Sequence, residues 1–267
     1  MLPSRHFADL TQPEIAAQFK QNPLVILPAG SVEQHGPHLP TGTDTLAANV
    51  IAHAVAERMD ALVLPATPLG VTPMHMPFEG TITLTPDTFM RVTIETCAST
   101  AKHGAKYLLV LNWHEGNIPS LAIAAEALHR EHGMTVLTVQ ACYVAEELYG
   151  GSCNGLTHGG EIEALAVLAH RHDLVHLDRI DYSSDHQHGH KMDRLRRTRA
   201  YQPVLTDIRS IAPTGWFGSP QHATAEKGAR MITDIADAIA KEAAEIFVQL
   251  DAVQGGTAEV KRLRQVG

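Results

Sequence analysis

The chain has 267 residues, 44% of them hydrophobic, and a formal net charge of −8. That apolar content supports a substantial core and excludes a disordered composition, while the acidic balance disfavours non-specific binding to nucleic acid or to an anionic membrane surface. No apolar run approaches the length of a membrane span, and residues 1–10 lack the basic-then-apolar build of a signal peptide. Cys97, Cys142 and Cys153 show no CxxC spacing, so the expectation is a reducing, cytoplasmic setting without a Cys-type zinc site.

In chain order, residues 24–27 form an apolar run that reads as a buried strand. A Gly/Pro-rich loop containing Glu33, His35, His38 and Asp44 follows, and residues 45–58 have helical spacing with Thr43 or Asp44 as N-cap. Residues 61–65 read as a strand leading into a long loop over 67–86. Residues 86–103 read as a helix with Pro86 in its first turn. Residues 107–111 form a strand ending in Asn112-Trp113-His114-Glu115-Gly116-Asn117. A helix over 120–132 stops at Gly133, a strand covers 134–139, and a Gly-rich loop runs on to 155. Residues 160–171 are helical, 173–222 have no assignable elements, and 223–252 form a long amphipathic helix that is broken once at most. Strand–helix alternation predicts an α/β fold: a three-layer α/β/α sandwich with a mainly parallel central sheet covered on both faces. No linker or repeat divides residues 1–267, so one domain is expected.

Seventeen histidines are an unusual number, and several sit beside Gly, Glu or Asp in loops. Glu33 and His35 are two apart, so in an extended segment both point the same way. In an open parallel sheet, ligands bind outside the carboxyl ends of the strands. The loops of Glu33–Asp44 and of 112–117 lie at such ends, and His158-Gly159-Gly160-Glu161-Ile162-Glu163 opens a helix. Taken singly, each residue has an ordinary reading. Asp44 caps a helix, His114 is a hydrogen-bonded loop histidine, Glu161 and Glu163 are first-turn acids favoured by the helix dipole, and His38 packs beneath its loop. Converging on one crevice, they offer the nitrogen and oxygen ligands of a metal site.

These residues also carry a family likeness. Gly30-Ser31-Val32-Glu33-Gln34-His35-Gly36-Pro37-His38-Leu39-Pro40, then Gly42-Thr43-Asp44, resemble the creatininase family of metal-dependent amidohydrolases. The stretch from Phe78 to Pro86 is similar to the family's FPGT(I)SLSP, 112–117 to its NGHGGN, 158–163 to HAGExE, and 223–228 to ATAEKG. The likeness covers roughly residues 20–250. It implies a creatininase-like fold, a homo-oligomer, commonly hexameric, and two divalent metals, zinc, manganese or iron. Carried over by position, Glu33 and His114 bind one metal and His35 the other, with Asp44 bridging. Creatininase proper takes a further carboxylate from two residues after the motif histidine. That position is Gly116 here, and Glu161 is the expected replacement. Glu115, one residue too early, is a weaker candidate. His158 matches the proton-shuttling histidine, with Glu163 orienting it or the water.

The implied chemistry is hydrolysis of a non-peptide C–N bond in a small or cyclic amide, by a hydroxide bridging two divalent metals. One ion polarises the carbonyl, and an acid protonates the leaving nitrogen. Small-peptide cleavage and ring opening of a cyclic ketone are rival reactions for the same centre, and a non-catalytic metal-stabilised binding protein is a rival of another class. Trp113 and Glu79 replace a glycine and a proline of the family motifs, and residues 140–157 contain Tyr143 and Tyr149 but no tryptophan; these departures argue against creatinine itself. Neither a P-loop nor a GxGxxG follows the first strand, so nucleotide binding is disfavoured. Asp185-His186-Gln187-His188-Gly189-His190 reads as a solvated loop or a metal-binding tract. Arg194, Arg196, Arg197 and Arg199 read as a solvated face, a subunit contact or an anion clamp.

Overall fold

The computed structural model describes residues 2–65, 67–182, 189, 191, 192, 195 and 204–254. Four parallel strands form one sheet: β1 (Leu24–Ala29), β2 (Leu62–Val63), β3 (Tyr107–Asn112) and β4 (Thr135–Gln140), in the order β2-β1-β3-β4. Leu24 pairs with Tyr107 and Ala29 with Asn112, so β1 and β3 end level.

Side chains alternate across a strand, and in β1 and β3 both alternating sets are apolar. Leu24, Ile26, Leu109 and Leu111 face one side, where α2 (Thr43–Met59), α5 (Ala141–Tyr149), α6 (Glu161–Arg171) and α7 (Ala225–Val253) cover them. Val25, Leu27, Leu108 and Val110 face the other, under α1 (Gln12–Gln21), α3 (Pro86–Ala101) and α4 (Ile118–His132). Strands apolar on both faces need helices on both faces, and this is the layering expected from the sequence.

The chain leaves β1 toward β2 on one side and returns to β3 on the other. The sheet therefore has a topological switch point between the carboxyl ends of β1 and β3. Gly30 seals the β1 end: a Cβ there would lie 2.5 Å from the Thr45 backbone, so only glycine lets the strand end touch the start of α2.

Some elements differ from the sequence reading. Residues 141–149 form α5 instead of part of a Gly-rich loop. Ala141, Cys142 and Ala145 bury on the sheet, and the glycines that suggested a loop begin only at Gly150. Helix α1 was not anticipated, although Thr11 and Glu14 make a capping box at its start. The second strand is only Leu62–Val63, and α7 is continuous. The Asp185–His190 tract, Gly189 excepted, and the arginines at 194, 196, 197 and 199 lie outside the described residues. No described helix is long and apolar enough to cross a membrane, and all three cysteines are buried and outside any disulfide.

Candidate metal centre

Glu33, His35, Asp44, His114, His158 and Glu163 come together at the switch point. Among the described residues their ligand atoms fall into three groups, each within 4.8 Å: Glu33 with Asp44 and His114; His35 with Asp44 and Glu163; and Glu33 with His35 and His158. Asp44 belongs to the first two and joins them. Its helix is capped by Gly42 instead, which leaves the Asp44 carboxylate free to face both imidazoles from the first turn of α2.

Each candidate ligand is held by a second contact. Ser31 Oγ donates to Asp44 Oδ2 at 2.7 Å, Thr72 Oγ1 donates to Glu33 Oε2, and the Gly159 N–H donates to Glu163 Oε2 at 2.6 Å. His35 Nδ1 lies 2.9 Å from the Glu33 carbonyl oxygen and His114 Nε2 lies 3.1 Å from that of Val71. A carbonyl oxygen only accepts, so both of these nitrogens carry the proton. The other nitrogens then present lone pairs to carboxylates. His35 Nε2 is 3.3 Å from Asp44 Oδ1 and 3.5 Å from Glu163 Oε2, and His114 Nδ1 is 3.0 Å from Asp44 Oδ2 and 3.4 Å from Glu33 Oε2. His35 Nε2 is buried without a hydrogen-bond partner among the described residues. Lone pairs facing carboxylate oxygens repel unless a proton or a cation lies between them. The donor set, imidazole nitrogen plus carboxylate oxygen with each imidazole locked by a carbonyl, fits divalent metal ions.

Electrostatics carries the same demand for positive charge. Burial opposes a charged His35, yet the carboxylates of Glu163, Asp44 and Glu33 outweigh it and raise its pKa to about 10. Burial likewise opposes a charged His114, but Glu33 and Asp44 raise it to about 9. Burial, against the pull of His35, raises Glu163 to about 8. Asp44 is held below the carboxylate range, because His35 and His114 outweigh its burial.

The asparagines of the 112–117 motif fasten the two loops. Asn117 Nδ2 donates to the Gly30 carbonyl at 2.9 Å, and Asn117 Oδ1 accepts from the Val71 N–H at 2.9 Å. Asn112 Nδ2 donates to the His114 carbonyl at 2.6 Å. Gly116 is forced by space: a Cβ there would lie 2.3 Å from the Val71 oxygen and 2.5 Å from His114 Nε2. The position at which creatininase proper carries a carboxylate is therefore closed in this chain.

Glu161 is outside every group of potential ligands among the described residues. Its Oε1 takes a 2.7 Å bond from Lys227 Nζ. Positions two apart on a helix do not share a face, so with Glu163 turned into the centre Glu161 turns away. Glu115 lines the cavity beside the centre but joins no ligand group. His38 is also outside: its Nε2–H donates to the Gly159 carbonyl at 2.7 Å, and burial lowers its pKa to about 4.

Sequence reasoning missed His75 and Gln34. Gln34 Nε2 donates to His75 Nδ1 at 3.0 Å and to the Gly215 carbonyl at 2.5 Å. His75 therefore carries its proton on Nε2, 3.7 Å from Glu33 Oε1. Its ring lies 4.4 Å from that of His158. His158 donates from Nε2 to the Gln34 carbonyl at 2.7 Å, which leaves Nδ1 bare, 3.7 Å from Glu33 Oε1. Burial, with His35 and His75 nearby, pushes its pKa well below the ordinary histidine value. Nothing in the local sequence around His75 marks it beyond its place in a Met/Pro-rich loop. Glu33, Asp44, His75, His114, His158 and Glu163 open onto one cavity of about 330 Å³.

The family profile described as creatinine amidohydrolase matches residues 8–243. The chain belongs to the creatininase family. It is 30% identical over 227 residues to a mycofactocin precursor peptide peptidase of Mycobacterium ulcerans (strain Agy99), covering 80% of this chain and 82% of that one. It is 29% identical over 259 residues to the creatinine amidohydrolase of Pseudomonas putida, covering 88% and 95%. Over 110 residues, 41% of this chain and 35% of the other, it is 31% identical to a 3-dehydro-scyllo-inosose hydrolase of Thermotoga maritima (strain ATCC 43589 / DSM 3109 / JCM 10099 / NBRC 100826 / MSB8). Its fold is similar to that of the solved structure "Creatininase Mn", with a TM-score of 0.72, 27% identity, and coverage of 90% of this chain and 98% of that one. This creatininase-family protein is thus a hydrolase with a parallel four-stranded sheet flanked by helices and a candidate metal-binding site.

Proposed function

We propose that the chain, acting as one domain over residues 1–267, hydrolyses a C–N bond of a small amide at a centre for two divalent ions, zinc, manganese or iron. Glu33, Asp44 and His114 would hold one ion, and His35, Asp44 and Glu163 the other. The observation that carries this reading is the pair of carbonyl-locked imidazoles, His35 and His114, whose bare nitrogens face the shared Asp44 carboxylate. This reading gives Glu163 the ligand role that the sequence alone suggested for Glu161.

Such ions supply Lewis acidity to a carbonyl oxygen and bring a water's pKa toward neutrality. The chain supplies the rest. His158, its Nε2–H fixed on the Gln34 carbonyl, takes a proton at Nδ1 and passes it to the leaving nitrogen, which departs only when protonated. The Nε2–H of His75, held in that tautomer by Gln34, is a fixed donor beside Glu33. Ser31, Thr72 and the Gly159 N–H keep the three carboxylates aimed inward.

Relatives named as peptide peptidases favour a second reading, cleavage of a short peptide, and the relative named 3-dehydro-scyllo-inosose hydrolase favours a third, hydrolysis of a cyclic ketone. Three buried cysteines outside any disulfide fit a reducing, cytoplasmic location, and family resemblance suggests a homo-oligomer. The test is elemental analysis of purified protein, followed by turnover of a panel of small amides, short peptides and cyclic ketones. Two ions per chain with amide turnover is the expected result. Metal without turnover of any class would point to a binding protein, and absence of metal after reconstitution would overturn the reading.

A further inference from the structure

We infer that the substrate carries an apolar substituent, aliphatic or aromatic, within reach of the bond that is cut. This rests on the hydrolase reading above. The cavity holding Glu33, Asp44, His114 and Glu163 is also lined by Met74, Leu205, Ile208, Ile211 and Phe217. These five belong to a hydrophobic cluster separate from the two sheet-face cores. Ile208 and Phe217 are 1% and 2% exposed, so the cluster has a packed base. Met74 and Leu205 are only half-buried, packed on that base and lining the cavity. Val204, which also lines the cavity, is 88% exposed.

This wall is fastened to the centre's own residues. The Phe217 N–H donates to the His158 carbonyl at 2.8 Å, and Gln34 Nε2 donates to the Gly215 carbonyl at 2.5 Å. The apolar surface is therefore positioned relative to His158 and Gln34. An amide that is polar throughout would lose hydration against this surface and gain nothing in return. An amide with an alkyl or aryl group would remove apolar area from water on both partners.

The experiment uses the full-length, metal-loaded protein and straight-chain primary amides from acetamide to hexanamide, with glycinamide and malonamide as polar comparators. Hydrolysis is followed by ammonia release and binding by titration calorimetry. The expected result is a rise in kcat/KM of about fourfold per methylene until the wall is covered, a parallel rise in affinity, and weaker activity on the polar comparators. Leu205→Ser and Met74→Gln, at half-buried positions, should flatten the slope while metal content stays at the wild-type level. Equal kcat/KM and equal affinity along the series, or preference for the polar amides, would overturn the inference. Affinity that rises with chain length while no amide is hydrolysed would uphold the apolar subsite and overturn the amide-hydrolase reading, so the two failures are distinguishable.

Discussion

Replacing Glu163 by Gln tests the ligand assignment most directly, with Glu161→Gln as its control. Among the described residues Glu163 completes the group of His35 and Asp44, and its Oε2 lies 3.5 Å from His35 Nε2. Glutamine keeps the shape and one acceptor but removes the negative charge. Losing an outer-shell partner alone typically costs about 10- to 100-fold in metal affinity; losing a charged ligand should cost at least about 100-fold by the same scale. On the proposed two-ion reading, purified Glu163→Gln should hold one ion per chain and the wild type two. Glu161 instead accepts a 2.7 Å bond from Lys227, whose side chain is 29% exposed, so water replaces part of what is lost. Glu161→Gln should keep both ions and lose about 1 kcal/mol of stability. The assay is elemental analysis after dialysis against a weak chelator, with chemical denaturation for the control. An ion lost from Glu161→Gln but retained by Glu163→Gln would refute the reasoning.

Gly116→Ala should loosen the metal bound by His114 about 10- to 100-fold, because its Cβ would displace the Val71 carbonyl from His114 Nε2; unchanged affinity in a chelator competition would argue against that lock. His158→Gln should keep its metal and lose about 100- to 10,000-fold in kcat, and single-turnover kinetics with unaltered rate would remove His158 from proton transfer. In chelator-stripped protein, His35 and His114 have folded pKa values of about 10 and about 9, raised above the ordinary value near 6.5. Their stabilising contribution is therefore complete below about pH 6.5 and is lost as pH rises through 9 and 10. Stripped protein should lose Tm over that range relative to metal-loaded protein, in which ions replace the protons, and parallel Tm curves would contradict this.

The parts of the fold that follow from local pattern were legible. Residues 24–27 and 108–111 have no polar side chain on either alternating set, which demands a sheet covered on both faces. Residues 141–149 were misread because Gly150 and Gly151 dominate the window, whereas three small residues, Ala141, Cys142 and Ala145, decide the helix through tertiary burial. Within the candidate site, Glu33, His35 and His114 were readable because they sit in loops at strand ends where no structural need calls for them, and Asp44 because it opens the helix that follows the first of these loops. That Glu163 and not Glu161 faces His35 follows from the rotation of α6 about its own axis, which tertiary packing of its buried residues on α2 and α7 sets; Glu161 turns instead to Lys227, 66 residues away. His75 was invisible for a similar reason. Its partner Gln34 is 41 positions distant, and a single histidine in a loop carries no periodic signal.

A buried cluster of this kind admits two physical accounts, a set of structural ion pairs or a cation site, and the geometry favours the second. A structural imidazolium–carboxylate pair is stabilising in a dry interior only when charge-assisted bonds of about 2.7–2.9 Å satisfy its protons. Here the imidazole–carboxylate separations run from 3.0 to 3.5 Å around His35 and His114, and His35 Nε2 makes no hydrogen bond within the described residues. The strong short bonds go to the outer contacts instead: Ser31 to Asp44, Gly159 to Glu163, Asn112 to the His114 carbonyl. A cluster whose outer bonds are tight and whose inner contacts are loose is organised around something placed at its middle. Asp44, with one oxygen toward His35 and the other toward His114, would divide that middle into the two positions that the proposed function requires.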